Sequence, residues 1–522
     1  MRFYAEKSVS RDVDSVIGIS YYPGKLTKLG RGQENCTGMR ASLDQPETSY
    51  ATEGRPAHSH REEARAASHL GIPLALGELG WMSTYIVDAI LIGRLPHSAL
   101  AIAASSLGNT IYYAIVFFMI YLLNGLETYI AQAAGRGDRS ECVVMLMQSM
   151  WIVVLGTPVV MGLTLASLLL LPHFGTPADI LASTHSYLRV LVWSTPPLML
   201  YMALRRFLQS INRVLLISLS LISSGLVNWL FDWLFLYGHR FFGIGIPAMG
   251  IAGSGWATVV VRCWMLLLLI PGAVLSFRRL KLWPKVAMLR PDSKRLKALL
   301  GLGWPSGLEF SLELGISTFM SILCARLGST LLAAHQVTLD LNAFVYMVPT
   351  GLSYAAMIRV GQAAGRKSLR QVRLAANTSL GLALAYSVIA ALLFLVLAHP
   401  LASVYTNDPQ VVLAAVPLFY LCSLLILGDT CFVIFASAMT GLGDTRTPMW
   451  ISILCNWIIG MPMAYTLAFP LGFGVRGLWL GRAAASIISG AALSFLWYAR
   501  MRREQNAQRS PKLQLFAPLN AG

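Results

Sequence analysis

Acidic residues within apolar stretches are the side chains of this 522-residue sequence best suited to chemistry. A carboxylate inside a membrane costs about 3 kcal/mol unless it faces a cavity or a partner, so each one is a functional hypothesis. Such groups attract cations and can hold protons. The candidates are Glu78, Asp88, Glu127, Asp232, Glu309, Glu313, Asp340 and Asp429.

Some of these residues have helical spacing. Asn228 and Asp232 are four residues apart, which puts them on one helix face, where amide and carboxylate oxygens can act as hard ligands together. Glu309 precedes Glu313 by the same interval, so their carboxylates can share a proton or clamp a cation. Asp340 either binds a cationic substrate or is a capped or solvated acid near a wide vestibule.

The elements that must position these residues are apolar helices. The chain is 56% hydrophobic and 12% charged, whereas about 25% of residues are charged in an average soluble protein. Runs long enough to cross a hydrocarbon core, which takes about 20 residues per helix, occur twelve times, so we predict an all-α membrane protein. They centre near Tyr85, Phe117, Thr157, Thr195, Trp229, Val261, Ser317, Tyr346, Ile389, Leu424, Ile458 and Ile488.

The net charge of +17 is distributed in a pattern typical of membrane topology. Every second loop is basic, as in GRGDRSE, ALRRFLQSINR and VGQAAGRKSLRQVR, and the loops between them carry single arginines. Basic loops stay in the cytoplasm, and an even number of spans then puts both termini there. We therefore expect a multi-pass protein of the plasma membrane, which in bacteria is the inner membrane. Its partner is expected to be the lipid bilayer, and no nucleic acid is expected to bind.

The sequence QAAGR occurs twice, ending at Arg136 and at Arg366. Aligning the two copies brings GIP over GWP, and the pair Asn-Trp at Asn228 over the pair at Asn456. The repeat is therefore six spans long. Because six is even, the halves have the same orientation and are related by a pseudo-two-fold axis along the membrane normal, as in secondary transporters. A substrate is expected to bind between the two six-helix bundles.

This repeat divides the chain into five parts. Residues 1–66 are polar and lack the apolar core of a signal peptide, and we expect them either to be disordered or to lie upstream of the true start. The first bundle covers 67–276, a basic cytoplasmic linker covers 277–297, the second bundle covers 298–500, and 501–522 form a cytoplasmic tail. None of the candidate acids lies in the terminal parts.

Enzymatic and cofactor-binding motifs are absent from the sequence. The seven cysteines include no CxxC pair, which argues against zinc and disulfide frameworks. GIAGSGWAT lacks the strand–turn–helix context of a nucleotide loop, and there is no Walker lysine motif, HExxH or nucleophile elbow. His335 has no second metal ligand at helical spacing, so we expect it to form hydrogen bonds. The chain is predicted to be neither an enzyme nor an ATP-driven pump, with no cofactor and no metal other than Na⁺ at cation-binding residues.

Several motifs, in this order, resemble the multidrug and toxic compound extrusion (MATE) family, particularly its bacterial NorM-like branch. The resemblance extends from about Ser68 to Arg500 and implies a secondary transporter. The motifs are VDAILIGRL at Val87, AQAAG at Ala131, VNWLFDWLFLYG at Val227, GIAGSGWAT at Gly250, LGSTLLAAHQV at Leu327, IRVGQAAG at Ile358 and GLGDTRTP at Gly441.

The family resemblance implies a cation or proton site in the first bundle. Family members use residues that correspond to Asp88, Asn228, Asp232 and Thr258. Many NorM-like members carry a second Asn where this chain has Asp232. The substitution makes the site more acidic.

The resemblance also implies a cation site in the second bundle. Glu313 and Asp429 match the acids that similar transporters use there. Glu309, Asp340 and Tyr346 are candidate substrate-binding residues.

These expectations favour a monomeric secondary antiporter that exports cationic, amphipathic organic compounds in exchange for H⁺ or Na⁺. Binding of the coupling ion would shift the balance between inward-open and outward-open states. The alternative is a flippase for a lipid-linked saccharide on a similar two-bundle plan, which would need a basic cavity for pyrophosphate. The sequence leaves open the choice between H⁺ and Na⁺ and the identity of the substrate.

Overall fold

A computed structural model describes residues 59–509 apart from 96–97, 175, 239, 242–243 and 246. Eleven helices of this described part are long and apolar enough to cross a membrane. They are span 1 (His60–Ile92), span 2 (Ser98–Arg136), span 3 (Arg139–His173), span 5 (Leu215–Tyr237), span 6 (Ile251–Leu280), span 7 (Ser293–Arg326), span 8 (Ser329–Gly365), span 9 (Leu369–Val396), span 10 (Pro409–Gly441), span 11 (Arg446–Ala468) and span 12 (Gly474–Gln508).

The remaining predicted span, centred near Thr195, is an interrupted helix that we number span 4. It consists of a helix over Ala178–Leu191, a 3₁₀ turn over Val192–Ser194 and a helix over Thr195–Ser210. Two prolines follow Thr195 directly, and because proline lacks the backbone N–H it removes helix hydrogen bonds at this point. With span 4 the predicted all-α fold of twelve spans is confirmed.

Several short elements interrupt or join the spans. Span 11 contains a π-helix over Ile453–Gly460, a local widening that often occurs at functional sites. A short helix, Ala398–Tyr405, follows span 9. Between spans 5 and 6, Arg240–Phe241 pairs antiparallel with Ile244–Gly245. The linker between the bundles contains a 3₁₀ turn over Val286–Leu289.

Three predicted boundaries shift because polar residues continue the helices beyond the apolar runs. Span 1 begins at His60, where the Ser59 hydroxyl accepts the Glu62 backbone N–H, so 60–66 are not part of an irregular segment; residues 1–58 lie outside the described residues. The linker shrinks to 281–292. The last helix extends to Arg509, past the predicted end at residue 500, since Arg, Gln and Glu are good helix formers.

The two QAAG segments cross each other where the bundles meet. A Cβ atom at Gly135 would lie 2.1 Å from the Gln362 carbonyl oxygen, and one at Gly365 would lie 2.1 Å from the Gln132 carbonyl oxygen. Only glycine lets the backbones approach so closely. The repeated small-residue sequence is therefore explained by packing of each copy on the other.

Polar contacts close the bundles on the side of the basic loops. The Thr128 hydroxyl donates to the Thr440 carbonyl oxygen at 2.9 Å, and the Gln132 amide donates to the Gly441 carbonyl oxygen at 2.9 Å. Arg359 of span 8 donates to both oxygens of Glu63 in span 1, at 2.8 and 2.6 Å. These residues all lie in the halves of their spans that are nearest the predicted cytoplasmic loops.

Candidate functional site

A cavity of about 900 Å³ lies between the two bundles. Spans 1, 2 and 4 form one wall, and spans 7, 8 and 10 form the other. Most of its lining is apolar or aromatic, as in sites for drug-sized ligands. Its charged lining residues are Glu78, Arg205, Arg206, Glu309, Glu313 and Asp340.

Two acids on span 7 face this cavity without a partner. Glu309 and Glu313 make no hydrogen bond or ion pair with any of the described residues, and Tyr346 lines the cavity with them. Phe310, between the two acids, stacks on Tyr121 of the other bundle with ring centroids 4.0 Å apart and planes at 15°. The structure therefore places two unpaired carboxyl groups next to a flat aromatic surface.

The third acid of this wall, Asp340, is already hydrogen-bonded. Gln336 donates to Oδ1 at 2.8 Å, and the Tyr405 hydroxyl donates to Oδ2 at 3.0 Å. Burial and the neighbouring Asp340 carboxylate raise the pKa of the Tyr405 phenol to about 12, so this hydroxyl remains a donor at neutral pH. Asp340 is accordingly less available to a ligand than Glu309 or Glu313.

The predicted site residues of the first bundle come together around Asn228. Its Nδ2 donates to Oδ1 of Asp88 and to Oδ2 of Asp232, the latter at 2.6 Å. Asn228 and Asp232 are buried, and Oδ1 of Asp232 has no hydrogen-bond partner among the described residues. One amide thus joins two carboxylates, an arrangement that a proton or small cation would neutralise.

Thr258 borders this cluster without bonding to its acids. Its hydroxyl donates to the Ser254 carbonyl oxygen at 3.1 Å. With Asp88 and Asn228 it lines a pocket of about 20 Å³, enough for one water molecule or an ion of similar size. Arg262 also lines this pocket.

The predicted site of the second bundle contains a cation of its own. Arg482 Nη2 lies 3.5 Å from Oδ2 of Asp429, and Arg482 Nη1 donates to Oδ1 of Asn456 at 3.3 Å. Asn456 lies in the π-helix of span 11. Glu313, the other predicted member, is not hydrogen-bonded to Asp429 in the described structure.

Two arginines of the cavity are not expected from the sequence, which assigns them to the basic loop ALRRFLQSINR. Arg205 pairs with Glu78, and Arg206 pairs with Glu127 at 2.6 Å; both arginines are buried in span 4. Gln209 donates to the second oxygen of Glu127 at 2.9 Å. The sequence does contain one signal for these buried arginines, namely Glu127 in an apolar span, because a buried acid needs a cationic partner.

His335 forms hydrogen bonds, as predicted. Its Nδ1 accepts the Trp479 indole N–H at 3.1 Å, and its Nε2 lies 3.1 Å from the Ser321 hydroxyl. Since Ser321 donates to the Ser317 carbonyl oxygen, these partners assign the neutral tautomer with hydrogen on Nε2. The imidazole is therefore fully used in packing spans 7, 8 and 12 together.

Comparisons with known proteins agree with this architecture. The chain is 28% identical over 468 residues to the probable multidrug resistance protein NorM of Pasteurella multocida strain Pm70, covering 88% of this chain and 98% of the relative. It is 29% identical to the multidrug resistance protein PmpM of Pseudomonas aeruginosa, covering 83% and 90%.

Solved structures support the fold. An outward-facing multidrug resistance MATE family transporter of the MOP superfamily superposes with a TM-score of 0.77 at 16% identity, covering 88% of this chain and 99% of the other. The Vibrio cholerae MATE transporter VcmN in its bent form gives 0.75 at 20% identity, covering 85% and 98%.

The family comparison also recovers the internal repeat. The MatE family model matches twice, at residues 73–234 and 305–466, once in each bundle. Together the two matches cover more than half of the chain, and their spacing agrees with the duplication seen in the QAAGR sequences. The chain is therefore a membrane transporter of the MatE family.

Proposed function

We propose that this transporter is a secondary antiporter that exports cationic, amphipathic organic compounds in exchange for H⁺ or Na⁺. The observation that carries the proposal is the pair Glu309 and Glu313, unpaired acids beside the Tyr121–Phe310 stack in a cavity of about 900 Å³. A planar organic cation can bind such a surface with its ring on the aromatic residues and its charge near the carboxylates.

Closure on the basic-loop side fits an export cycle. The contacts between the QAAG segments, and the Glu63–Arg359 pair, separate the cavity from the predicted cytoplasm. Export then requires these contacts to open for loading and to close for release, with ion binding biasing the two states. We also propose that the protein lies in a bacterial inner membrane with both termini on the cytoplasmic side. The monomer is sufficient for transport in this proposal.

A flippase for a lipid-linked saccharide is disfavoured by the charge of the cavity. Pyrophosphate recognition calls for arginines that are free to donate. Arg205 and Arg206 line the cavity, but each is already paired, with Glu78 and Glu127 respectively. The acids Glu309 and Glu313 would repel a phosphate.

Transport by purified protein in proteoliposomes tests the proposal. We expect an imposed pH gradient, or an imposed Na⁺ gradient, to drive ethidium across the membrane, and a protonophore to abolish the proton-driven flux. Liposomes without protein are the control. Absence of flux under both gradients, with the protein correctly inserted, would contradict the antiport function.

A further inference from the structure

The Asp429 carboxylate in span 10 already has a cationic partner within the protein. Arg482 of span 12 approaches Oδ2 of Asp429 at 3.5 Å, and the Ser486 hydroxyl lies 2.5 Å from Oδ1. The same guanidinium donates to Oδ1 of Asn456 at 3.3 Å. Oδ2 of Asp429 and Oδ1 of Asn456, which could coordinate a free cation, thus already face a fixed one, and Oδ1 of Asp429 accepts from a hydroxyl.

Arg482 stands where the first bundle has a hydroxyl. Span 6 begins at the motif GIAG and span 12 begins at GVRG. Aligning these motifs puts Arg482 on Thr258, and it puts Ser486 on Arg262. The two bundles have therefore exchanged an arginine and a hydroxyl between the same two helix positions.

In the first bundle Arg262 contacts aromatic side chains and forms no ion pair with a described carboxylate. The Arg262 guanidinium lies over the Trp81 ring at 4.2 Å and donates to the Tyr113 hydroxyl at 3.1 Å. Within residues 59–509, as far as they are described, Arg262 is in no ion pair. The carboxylates of Asp88 and Asp232 are joined through an amide, whereas that of Asp429 is neutralised by an arginine.

A guanidinium at this distance and a free cation compete for the same oxygens. Na⁺ needs several oxygen ligands, and in a low-dielectric interior a second positive charge a few ångströms away repels it strongly. The residues around Asp429 therefore do not fit a Na⁺ site as they are arranged.

We propose that Arg482 is a tethered cation that takes the place of free Na⁺ at Asp429 and makes the second bundle insensitive to Na⁺. The proposal rests on the antiport function above, because it specifies which bundle a free coupling ion can use. Arg482 is a specificity-determining residue: its charge excludes Na⁺, and its guanidinium holds Asp429 through an ion pair and Asn456 through a hydrogen bond.

Thermal stability of the purified full-length protein tests the proposal without measuring transport. An ion that binds only the folded state raises Tm, so the Tm of each variant is compared in equal concentrations of NaCl and KCl. For the wild type we expect no Na⁺-specific rise in Tm that Asp429→Asn removes. Arg482→Gln should gain a Na⁺-specific rise in Tm, and adding Asp429→Asn should remove it. Arg482→Lys keeps a positive charge and should respond like the wild type.

Two results would overturn the proposal. One is a Na⁺-specific rise in the Tm of the wild type that Asp429→Asn abolishes; the other is a folded Arg482→Gln protein with no Na⁺ response. A Na⁺ response of the wild type that Asp88→Asn abolishes instead belongs to the first bundle and agrees with the proposal. If Arg482→Gln does not fold, the wild type and Asp429→Asn decide between them: an equal response to Na⁺ in both supports the proposal, and a response that only the wild type shows overturns it.

The transport and stability measurements test the two proposals separately. If neither gradient drives ethidium flux, the antiport function is wrong, whereas the comparison of Tm in NaCl and KCl still decides whether Arg482 excludes Na⁺. If flux is driven by a Na⁺ gradient and this dependence is lost in Asp429→Asn, the antiport function stands and the role assigned to Arg482 is wrong.

Discussion

The cluster around Asn228 brings two carboxyl groups onto a single amide nitrogen. The carboxylates of Asp88 and Asp232 both accept from Nδ2, and like charges this close favour a state in which a proton or cation neutralises one of them. Binding of a proton or cation at this cluster therefore changes the net charge of a buried site. This change in charge is what could couple ion binding to movement of the first bundle.

Removing one of these charges should uncouple transport without unfolding the protein. Asp88→Asn keeps the size of the side chain and an oxygen that can accept from Asn228, but it cannot titrate. We expect normal expression and a fall of gradient-driven ethidium efflux to near the leak rate. Asp179→Asn, at an exposed position, is the matched control and should transport normally. Full gradient-driven efflux by Asp88→Asn would rule out this acid as the coupling group.

The unpaired acids of span 7 should control affinity for organic cations. At low pH, protons compete with a cationic substrate for Glu309 and Glu313, so ethidium affinity should rise with pH in the wild type. Glu309→Gln and Glu313→Gln should each weaken ethidium binding and flatten this pH profile. Asp340→Asn should change it less, because Gln336 and Tyr405 already bond to that carboxylate. Equilibrium fluorescence titrations from pH 5 to 9 provide the measurement, and an unchanged profile in both Gln variants would contradict this role.

Among the structural elements, the crossing of the QAAG segments sets how tightly the bundles close. Gly365→Ala places a methyl group against the Gln132 carbonyl oxygen, where there is only 2.1 Å of room, so it should separate the bundles on the basic-loop side. A cysteine introduced at the cavity residue Asn124, in a background without native cysteines, should then react faster with an impermeant maleimide in inside-out vesicles. Gly381→Ala meets nothing within 4 Å and should leave the rate unchanged. Equal rates for both variants would show that this crossing does not close the cavity.

The helices were largely predictable from the sequence, but their irregularities were not. Apolar runs and loop charges are local properties, so the twelve spans follow from composition alone. The turn at Val192–Ser194 and the π-helix at Ile453–Gly460 depend on how neighbouring helices satisfy the backbone. The sequence alone places Arg205 and Arg206 in a loop, because it shows their charge and not the buried acids that neutralise it.

Candidate acids could be recognised one at a time, but their partners could not. The sequence predicts the Asn228–Asp232 pair because both residues lie on one helix, at helical spacing. The pairing of Asp429 with Arg482 joins spans 10 and 12, and no local spacing reports a contact between two helices. The same limit applies to the stack of Tyr121 on Phe310, which joins the two bundles.

For the molecule as a whole, the beginning of span 1 decides where the chain can be shortened. Deletion of residues 1–58 should leave insertion and efflux intact, since this segment contains no apolar span and none of the candidate acids. Deletion of 1–66 also removes Glu63 and leaves Arg359, a buried residue of span 8, without its carboxylate. Loss of one partner of a buried ion pair costs about 3–5 kcal/mol, so the longer deletion should lower Tm and efflux. The two truncated proteins are compared by their Tm in detergent and by their ethidium efflux. Equal values would contradict a structural role for the Glu63–Arg359 pair.

The reciprocal contact of the QAAG segments has the form of an isologous interface, in which residue i of one partner meets residue j of the other and the reverse. Each half of the chain thus carries both sides of the joint, as a subunit of a two-fold homodimer does. The linker at 281–292 then fixes the pairing at one copy of each half, without being needed for recognition. Half-chains ending and beginning within this linker should therefore associate when they are co-expressed, and a tag on one should co-purify the other.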